Sequence, residues 1–576
     1  MSVDPRSAAQ VLATIAAYLE LHGENRFKAR AYETAARSIR GLPSDDLAGA
    51  LATGELAGLR GLGPATLAVV RDLIEQGASR YLEQLRQTTP EGLLEMLDVP
   101  GLTPLKIHAI HNALGIETVD ALEEAARDGR LAKLPRYGKK TADRILQGIA
   151  LRRARGAQRL LLQARLEGEG LRALVEAHPD VVCARVGGPL RRHCETVGNL
   201  DVVAACTSSP ADVAASFTRS GGVKTASGDG SSVEIVFVDG ITLRLHCALE
   251  RDFGLALVAA TGTPEHVAGV VRRLLEKGFS LGAGGLEKDG CTVPTPDEQT
   301  VYALAGLQYV DPALREDRGE IEAASRYGLP NLVTDGDLRG VLHCHTVYSD
   351  GKATVAEMAR GAADRGWSYI GISDHSEAAF YAGGLSVDRF EAQMDEIDAF
   401  NEVSGDVRVL KGIEADILAD GRLDYGPKVL DRCDFVIGSI HSRFAMSGAA
   451  MTERILHALD EPQLTILAHP TGRLLLSREP YALDVDAVLE KAAENNVAVE
   501  LNADPHRLDL DWRYLFRARE LGVRVAIGPD AHSVKGLDYA YIGIGMARKG
   551  WLEPGDILNT GDADSVLAFA RARRAS

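Results

Sequence analysis

Nowhere in the 576 residues is there an apolar run of 18 or more, so the sequence offers no membrane span. Cysteines are scarce: seven, an odd number, scattered and without a CxxC pair. That excludes a disulfide framework and a cysteine zinc site, and fits a reducing compartment. The opening stretch MSVDPRSAAQVLATIAAYLELHG has no basic leader and carries Asp4 and Glu20. It reads as a helix of the mature chain, and a cytoplasmic location is expected. Positive charge is short as well. A formal net charge of −17 excludes a surface uniformly coated for nucleic acid. The deficit is uneven: residues 1–155 hold 21 Lys and Arg against 19 Asp and Glu, and the remainder 43 against 62. A grip on nucleic acid is therefore to be sought in the first part. The acidic remainder suits metal-binding carboxylates or an ordinary solvated surface.

What is present divides the chain into regimes, and a chain this long calls for about three to five domains. Residues 1–155 show helical periodicity with short glycine turns. One pattern occurs three times, in LRGLGPATLAVV from Leu59, VPGLTPLKIHAI from Val99 and LPRYGKKTADRI from Leu134: an apolar residue, a tight turn, a new helix. Between 156 and 250, the short β-branched runs VVCARVGG, NLDVVAAC, SVEIVFV and ITLRLHCAL predict a sheet-rich region. Residues 251–318 return to a mixed helical pattern, and 319–337 read as a linker. From 338, short apolar strands alternate with helical stretches, which predicts a repeated βα architecture closing into a barrel of about seven strands.

In such barrels chemistry gathers at the strand C-termini. Here the first strand ends His343-Cys344-His345, whose alternation puts both histidines on one side. Asp350 follows in the next turn. Later strand ends bring Asp374 with His375, Glu414, His441, His469, and Asp530 with His532. A single histidine there is ordinary core. Six strand ends offering ligands are not. Imidazole and carboxylate without thiolate suit zinc, manganese or iron. So many donors suit two or three ions sharing a carboxylate, an arrangement that hydrolyses phosphoesters.

HCHTVYSDG, SDHS, GIEAD, IHS, AHP and PDAH together resemble the signature of the PHP (polymerase and histidinol phosphatase) domain, a distorted TIM-like seven-stranded α/β barrel. The resemblance implies one Mn²⁺ or Zn²⁺ held by His343, His345, Glu414 and Asp530, and a second reached through Glu414 by His441 and His469. A third would lie with Asp350, His375 and His532. ELNADPHRLD resembles the segment lining that pocket, with Asn502 and Arg507 as phosphate contacts or as purely structural residues.

The three glycine turns resemble helix-hairpin-helix motifs, which grip a DNA phosphate with helix N-terminal amides. This makes Gly61, Gly63, Gly101, Gly138, Lys139 and Lys140 the candidate DNA-binding positions. GLTP and RYGKK depart from the usual G-x-G turn. NRFKARAYETAARSIRGL resembles the first domain of X-family DNA polymerases, which binds the 5′-phosphate side of a gap, and points to Lys28, Arg30 and Tyr32. PATLAVVRDLI has no lysine where some members carry a Schiff-base lysine, so lyase activity by that route is not expected.

VGGPLRRHCETVGNLDVVAA resembles the palm of the same family, ITLRLHCALERDFGLALVAATGTPEH the strand bearing its third carboxylate, and YVDPALREDRGEIEAA the end of its thumb. The implied organisation is an all-α region (1–85 gap binding, 86–155 fingers-like), an α+β palm (156–250) and thumb (251–318), then the PHP domain (338–576). That is the order of bacterial X-family DNA polymerase/3′–5′ exonucleases. Gly187, Gly188, Arg191 and Arg192 are the implied nucleotide-binding residues. The family holds Mg²⁺ or Mn²⁺ with three aspartates. Here the positions read Asn199, Asp201 and Thr242, so two of three formal charges are absent, and the serine usual at the second glycine is absent too. Glu234 and Asp239 lie near in sequence but fall elsewhere on the hairpin. The expectation is a nucleoid-associated repair enzyme on gapped or primer-template DNA, with Glu414 and a residual Asp201 as candidate catalytic carboxylates and an impaired palm. The alternatives are an active gap-filling polymerase using dNTPs, a small-molecule phosphatase such as a histidinol phosphatase, and a binding-only scaffold.

Overall fold

The computed structural model describes residues 5–23, 26–40, 47–76, 79–99, 101–135, 137–155, 158–238, 240–282, 285–403 and 405–575. Two compact units divide the chain, Met1–Gly156 and Ala157–Ser576. Among the described residues no helix is long and apolar enough to cross a membrane.

The first unit is helical, as its periodicity predicts. Helices Pro5–Leu21, Arg26–Arg40, Pro64–Gln76 and Arg80–Thr88 surround a core that includes Leu12, Ile15, Leu19, Ile39, Leu56 and Val70. Helices Pro104–Leu114, Val119–Arg127 and Lys139–Arg155 surround another around Ile107, Ile110, Leu122, Ile145 and Ile149. The three repeated turns share one hydrogen bond. The amides of Leu62, Leu102 and Tyr137 donate to the carbonyls of Leu59, Val99 and Leu134, three residues earlier. In the first two, a glycine at positive φ precedes that amide, Gly61 at 86° and Gly101 at 91°. A Cβ on Gly61 would stand 2.6 Å from Ala35 N, so the turn closes only with glycine.

In the second unit, a five-stranded sheet runs in the order Val181–Val186, Leu200–Cys206, Thr242–Leu249, Ser232–Phe237, Val223–Asp229. Leu200–Cys206 and Thr242–Leu249 pair in parallel and the other neighbours are antiparallel. All of Leu200–Cys206 is buried, because Val202, Ala204 and Cys206 face one core and Val203 and Ala205 face Phe253 and Leu257 on the other side. The outer strand Val223–Asp229 (VKTASGD) is polar and left no apolar pattern to read. Helices Phe253–Thr261, Pro264–Glu276 and Glu298–Leu304 follow, with a core that includes Val258, Val270, Leu274, Val301 and Tyr302. Residues 319–337 hold the helix Glu320–Ser325. Gln308 N bonds Ala324 O on one side of this stretch, and Val333 N bonds Leu552 O on the other.

From 338, short parallel strands alternate with helices. Gly340–Val341, Tyr369–Ile372 and Arg408–Lys411 form one ladder; Glu414–Asp416, Ile437–Ser439, Ile466–Leu467, Ala498–Asn502 and Val525–Gly528 form the next. Single parallel bridges, His375 to Glu414 and Cys344 to Ala531, link the two ladders at both ends. Apart from Arg408 and Lys411 at the ends of one strand, the strands are buried on both faces, which is why they read as apolar runs rather than alternating ones.

Candidate metal centre

Glu414 begins its strand immediately after Ile413 and is 1% exposed. Its Oε2 lies 3.5 Å from His343 Nε2, 3.7 Å from His345 Nε2 and 2.7 Å from His375 Nδ1. Its Oε1 lies 3.4 Å from His441 Nε2 and 3.1 Å from His469 Nε2. One carboxylate thus faces five imidazoles from four strand ends. Asp530 closes the far side, 3.6 Å from His343 Nε2 and 3.3 Å from His345 Nε2. Asp350 meets His532 Nε2 at 3.2 Å and His375 Nε2 at 3.8 Å. His469 and Asp530 both sit at positive φ, 26° and 49°. Non-glycine residues hold that conformation only where their surroundings impose it.

The donors converge in three groups: His345, Asp350, His375 and His532; His343, His345 and Asp530; and His375, Glu414 and His441. His375 stands in the group with His441, and His469 reaches Glu414 from beside it. The first group is the open one, with Asp350 and His532 each 37% exposed, while the other two are deep.

Fit to cations is tested by the polar atoms left over. Buried His343 Nε2 and both ring nitrogens of His345 have no hydrogen-bond partner, and His375 Nδ1 and Glu414 Oε2 meet at 2.7 Å without hydrogen-bond geometry. Such orphans are costly unless something else satisfies them. Burial, followed by His375, pushes His345 down to about 4, and burial with Arg507 pushes His469 to about 3, so these rings keep their lone pairs at neutral pH. Burial works against ionisation of Glu414, yet His375, His343 and His441 outweigh it and hold the carboxyl well below its usual range. Against burial, Glu500, Asp530 and Glu414 hold His343 well above its ordinary range and Glu414 does the same for His375, protons whose place a divalent cation would take. Imidazoles and carboxylates with no thiolate fit divalent zinc, manganese or iron.

Two carboxylates missed from the sequence complete the centre. Glu500 Oε1 lies 2.6 Å from His343 Nδ1, and Asp416 Oδ1 lies 2.7 Å from His441 Nδ1. Each fixes its ring so that Nε2 points inward. The signal was available, since Asp416 follows Glu414 by two and Glu500 precedes Asn502 by two. Asp374, also offered by a strand end, instead accepts from Thr346 N and Oγ1 (2.8 and 2.6 Å) and Ser349 N (3.0 Å), fixing the turn after His345. Asn502 and Arg507 both reach Asp530 Oδ2, at 3.1 and 3.4 Å.

The five-stranded sheet, the palm expected from the sequence, presents the opposite picture. Asp201 pairs in register with Arg244, and Arg244 with Glu234, so the three side chains share one face. Glu234 therefore lies in the same row as Asp201, not elsewhere on the hairpin. It is bound by Arg244 Nε at 2.9 Å. With its amide oxygen turned toward the guanidinium, the orientation in which donor meets acceptor, Asn199 accepts from Arg244 Nη2 at 2.7 Å. A cation thus stands among the positions where divalent ions would need negative charge. Asp201 itself is 6% exposed, with His246 Nε2 at 3.5 Å. Gly188, at φ 61°, packs so closely that a Cβ would lie 2.1 Å from Asp201 Oδ2. Asp239 lies outside the described residues.

Comparison with known proteins covers nearly all of the chain. The chain is 35% identical over 585 residues to the DNA polymerase/3′-5′ exonuclease PolX of Bacillus subtilis, spanning 98% of each chain. The chain belongs to the PolX family. Within the chain, residues 5–79 match a helix-hairpin-helix domain, 93–150 a SAM-like helix-hairpin-helix tandem, 256–316 the DNA polymerase beta thumb and 342–504 the PHP domain. About a third of it also resembles probable phosphatases, at 32% identity over 200 residues in Acetivibrio thermocellus (78% of that protein) and 30% over 207 in Caldanaerobacter subterraneus (74%).

The remaining PolX positions are placed as follows. Lys28 and Arg30 are exposed on the helix Arg26–Arg40. Tyr32 is only 3% exposed and packs 6.1 Å from Tyr81, because the helix turns it inward with Ala29 and Ala36. Gly101, Gly138, Lys139 and Lys140 are exposed, and Gly61 and Gly63 half-buried. Arg191 and Arg192 are engaged within the protein. Arg191 forks onto Glu298 at 2.8 and 2.7 Å, and Arg192 bonds Glu316 at 2.9 Å and Thr261 O at 2.6 Å.

Proposed function

We propose that this PolX chain is a repair nuclease, degrading DNA from 3′ ends at the PHP centre, with a palm impaired in nucleotide transfer. The observation that carries this reading is the contrast between the two carboxylate sites. The PHP centre gathers nine donors with buried orphan nitrogens. The palm has Asp201 beside a guanidinium that occupies Glu234 and Asn199.

His343, His345, Glu414, Asp530, His441, His469, Asp350, His375 and His532 would hold two or three divalent ions. Bound there, such ions supply a hydroxide nucleophile and neutralise charge on a phosphodiester. Hydrolysis adds water across the P–O3′ bond, releasing a nucleoside 5′-monophosphate and leaving a new 3′ hydroxyl. Arg507, restrained by Asp530 and with its side chain 19% exposed, is the residue to receive a phosphate oxygen. Asp350 and His532 mark the open side from which the strand enters. The helix-hairpin-helix turns and exposed Lys28 and Arg30 hold the DNA backbone.

A second reading, gap-filling synthesis, is favoured by the full-length similarity to an enzyme named for both activities. A labelled primer on gapped DNA with Mn²⁺, with and without dNTPs, separates the two. Shortening in either condition supports the nuclease; robust dNTP-dependent extension overturns the impaired palm. The double variant His343→Ala with Glu414→Ala should lose shortening and keep DNA binding.

A further inference from the structure

The loop between Ile372 and the helix Val387–Val403 carries two aromatic side chains for which the metal centre gives no reason. Phe380 is 86% exposed and Tyr381 60%. A lone exposed aromatic is unremarkable, since much protein surface is apolar. This pair differs in its place. The Tyr381 ring lies 6.0 Å from His441 and 6.3 Å from His375, and Phe380 stands edge-on to Tyr381 at 6.1 Å.

It differs also in how it is held. Leu385 N donates to His375 O at 2.8 Å, and Ala379 N to Ser376 O and Gly384 N to Ala379 O, each at 3.1 Å. Ala379 and Ala382 are buried beneath. A Cβ on Gly384 would fall 2.0 Å from the Ser376 carbonyl oxygen, so the loop closes this tightly only with glycine there. A loop pinned at both ends and floored by alanines has no need to unfold to expose its rings. Phe380 and Tyr381 are kept in water by construction. On the same centre sits the partly exposed Arg507 guanidinium, held on Asp530 at 3.4 Å. A cation for phosphate and flat apolar faces for a base thus flank one cluster of ligands, the combination with which single-stranded nucleic acid is gripped.

We propose that Phe380 and Tyr381 form a stacking platform for the terminal nucleobase of a single-stranded DNA 3′ end, seating the last phosphodiester at the metal centre. This rests on the nuclease reading and adds what selects the substrate: an unpaired terminal nucleoside with its base. Stacking on an aromatic face tolerates any base, so the platform imposes single-strandedness without sequence preference.

The test compares 5′-labelled single strands ending in a normal nucleoside with the same strands ending in an abasic tetrahydrofuran residue, using the full chain with Mn²⁺. The wild type should show a KM about 10-fold lower for the base-bearing end. Phe380→Ala should raise that KM toward the abasic value with kcat little changed, and Phe380→Trp should restore the discrimination. Independently, the metal-free chain in EDTA should quench 2-aminopurine placed at the 3′ terminus, and Phe380→Ala with Tyr381→Ala should not. Retained base discrimination and retained quenching in the alanine variants overturn the platform. Inactivity of the wild type on both substrates overturns the nuclease reading itself, and with it this one.

Discussion

His343 Nδ1 and Glu500 Oε1 stand 2.6 Å apart, both residues 1% exposed, and that bond decides which nitrogen of His343 faces the metal centre. Glu500 also accepts from His469 N at 2.8 Å, so one carboxylate orients two of the nine donors. Gly528 opposite would place a Cβ 2.0 Å from Glu500 Oε1, which leaves that spot to the carboxylate. Glu500→Gln keeps the shape but turns a charged acceptor into an amide. The expected result is a 10- to 100-fold loss of Mn²⁺ affinity, on the scale seen when such orienting partners are removed, with the fold unchanged. Calorimetric titration of the chelated, reloaded chain measures it.

Glu195 ties the palm to the C-terminal part. Its Oε1 lies 3.3 Å from both Arg473 Nη2 and Arg513 Nη1, and its Oε2 3.3 Å from Trp512 Nε1. Arg473 continues to Arg507 O at 2.9 Å and to Leu508 O, on the segment that carries the phosphate-binding candidate Arg507. Asp511 remains as a partner for both arginines, at 2.6 and 2.7 Å. Glu195→Ala should therefore cost about 1–3 kcal/mol rather than the larger penalty of a stranded buried charge. Denaturant titration should show a lower midpoint, and Glu195→Gln should recover part of it.

Glu298 sets an acid limit on the second unit. Burial opposes its ionisation, but the forked bonds from Arg191 and the bond from Arg315 at 2.5 Å prevail and hold its carboxyl at about 2. The native state thus binds that proton less readily than the unfolded chain. The stabilisation is complete above roughly pH 4.5 and is lost as pH falls from there through about 2, on the order of 3 kcal/mol in all. Glu298→Gln should be less stable than wild type at pH 7, with the difference shrinking between pH 4.5 and 2. Thermal unfolding of both across that range reads it directly.

The candidate ligands of the metal centre were legible because most of them cluster at strand ends, with Asp350 in the following turn, and because a two-residue period carries His343 with His345 and Asp530 with His532 to one side. Glu500 and Asp416 obey the same period but serve the outer side of their rings, so a search for ligands passed over them. The palm was less legible. Whether Glu234 shares a face with Asp201 depends on the register through Thr242–Leu249, set by hairpin geometry that local composition does not encode. Arg191 and Arg192 were legible as cations. Their partners Glu298 and Glu316 lie more than a hundred residues on, and only the fold brings them together. Tyr32 reads with Lys28 and Arg30 as a phosphate contact, but helical phase buries it.

The palm's condition can be tested by restoring charge. Asn199→Asp with Thr242→Asp would set two new carboxylates beside Asp201, on the face where Arg244 now bonds Asn199 and Glu234. Arg244 Nε keeps Glu234 at 2.9 Å, and its Nη2, now on Asn199 at 2.7 Å, would bond one oxygen of the new carboxylate there, leaving its other oxygen, Asp201 and the residue 242 carboxylate for a cation. Three aspartates then supply the negative oxygens that hard divalent cations require, where a neutral amide and a hydroxyl do not. In a His343→Ala, Glu414→Ala background, expected to lose shortening of the primer, the double variant should add dNTPs to a gapped primer with Mg²⁺ at least about 10-fold faster than its parent, the scale on which one transition-state contact acts. Equal, robust extension by the parent would mean that Asp201 suffices alone; no extension by either would place the defect beyond the carboxylates, at Gly188 or at the paired arginines Arg191 and Arg192.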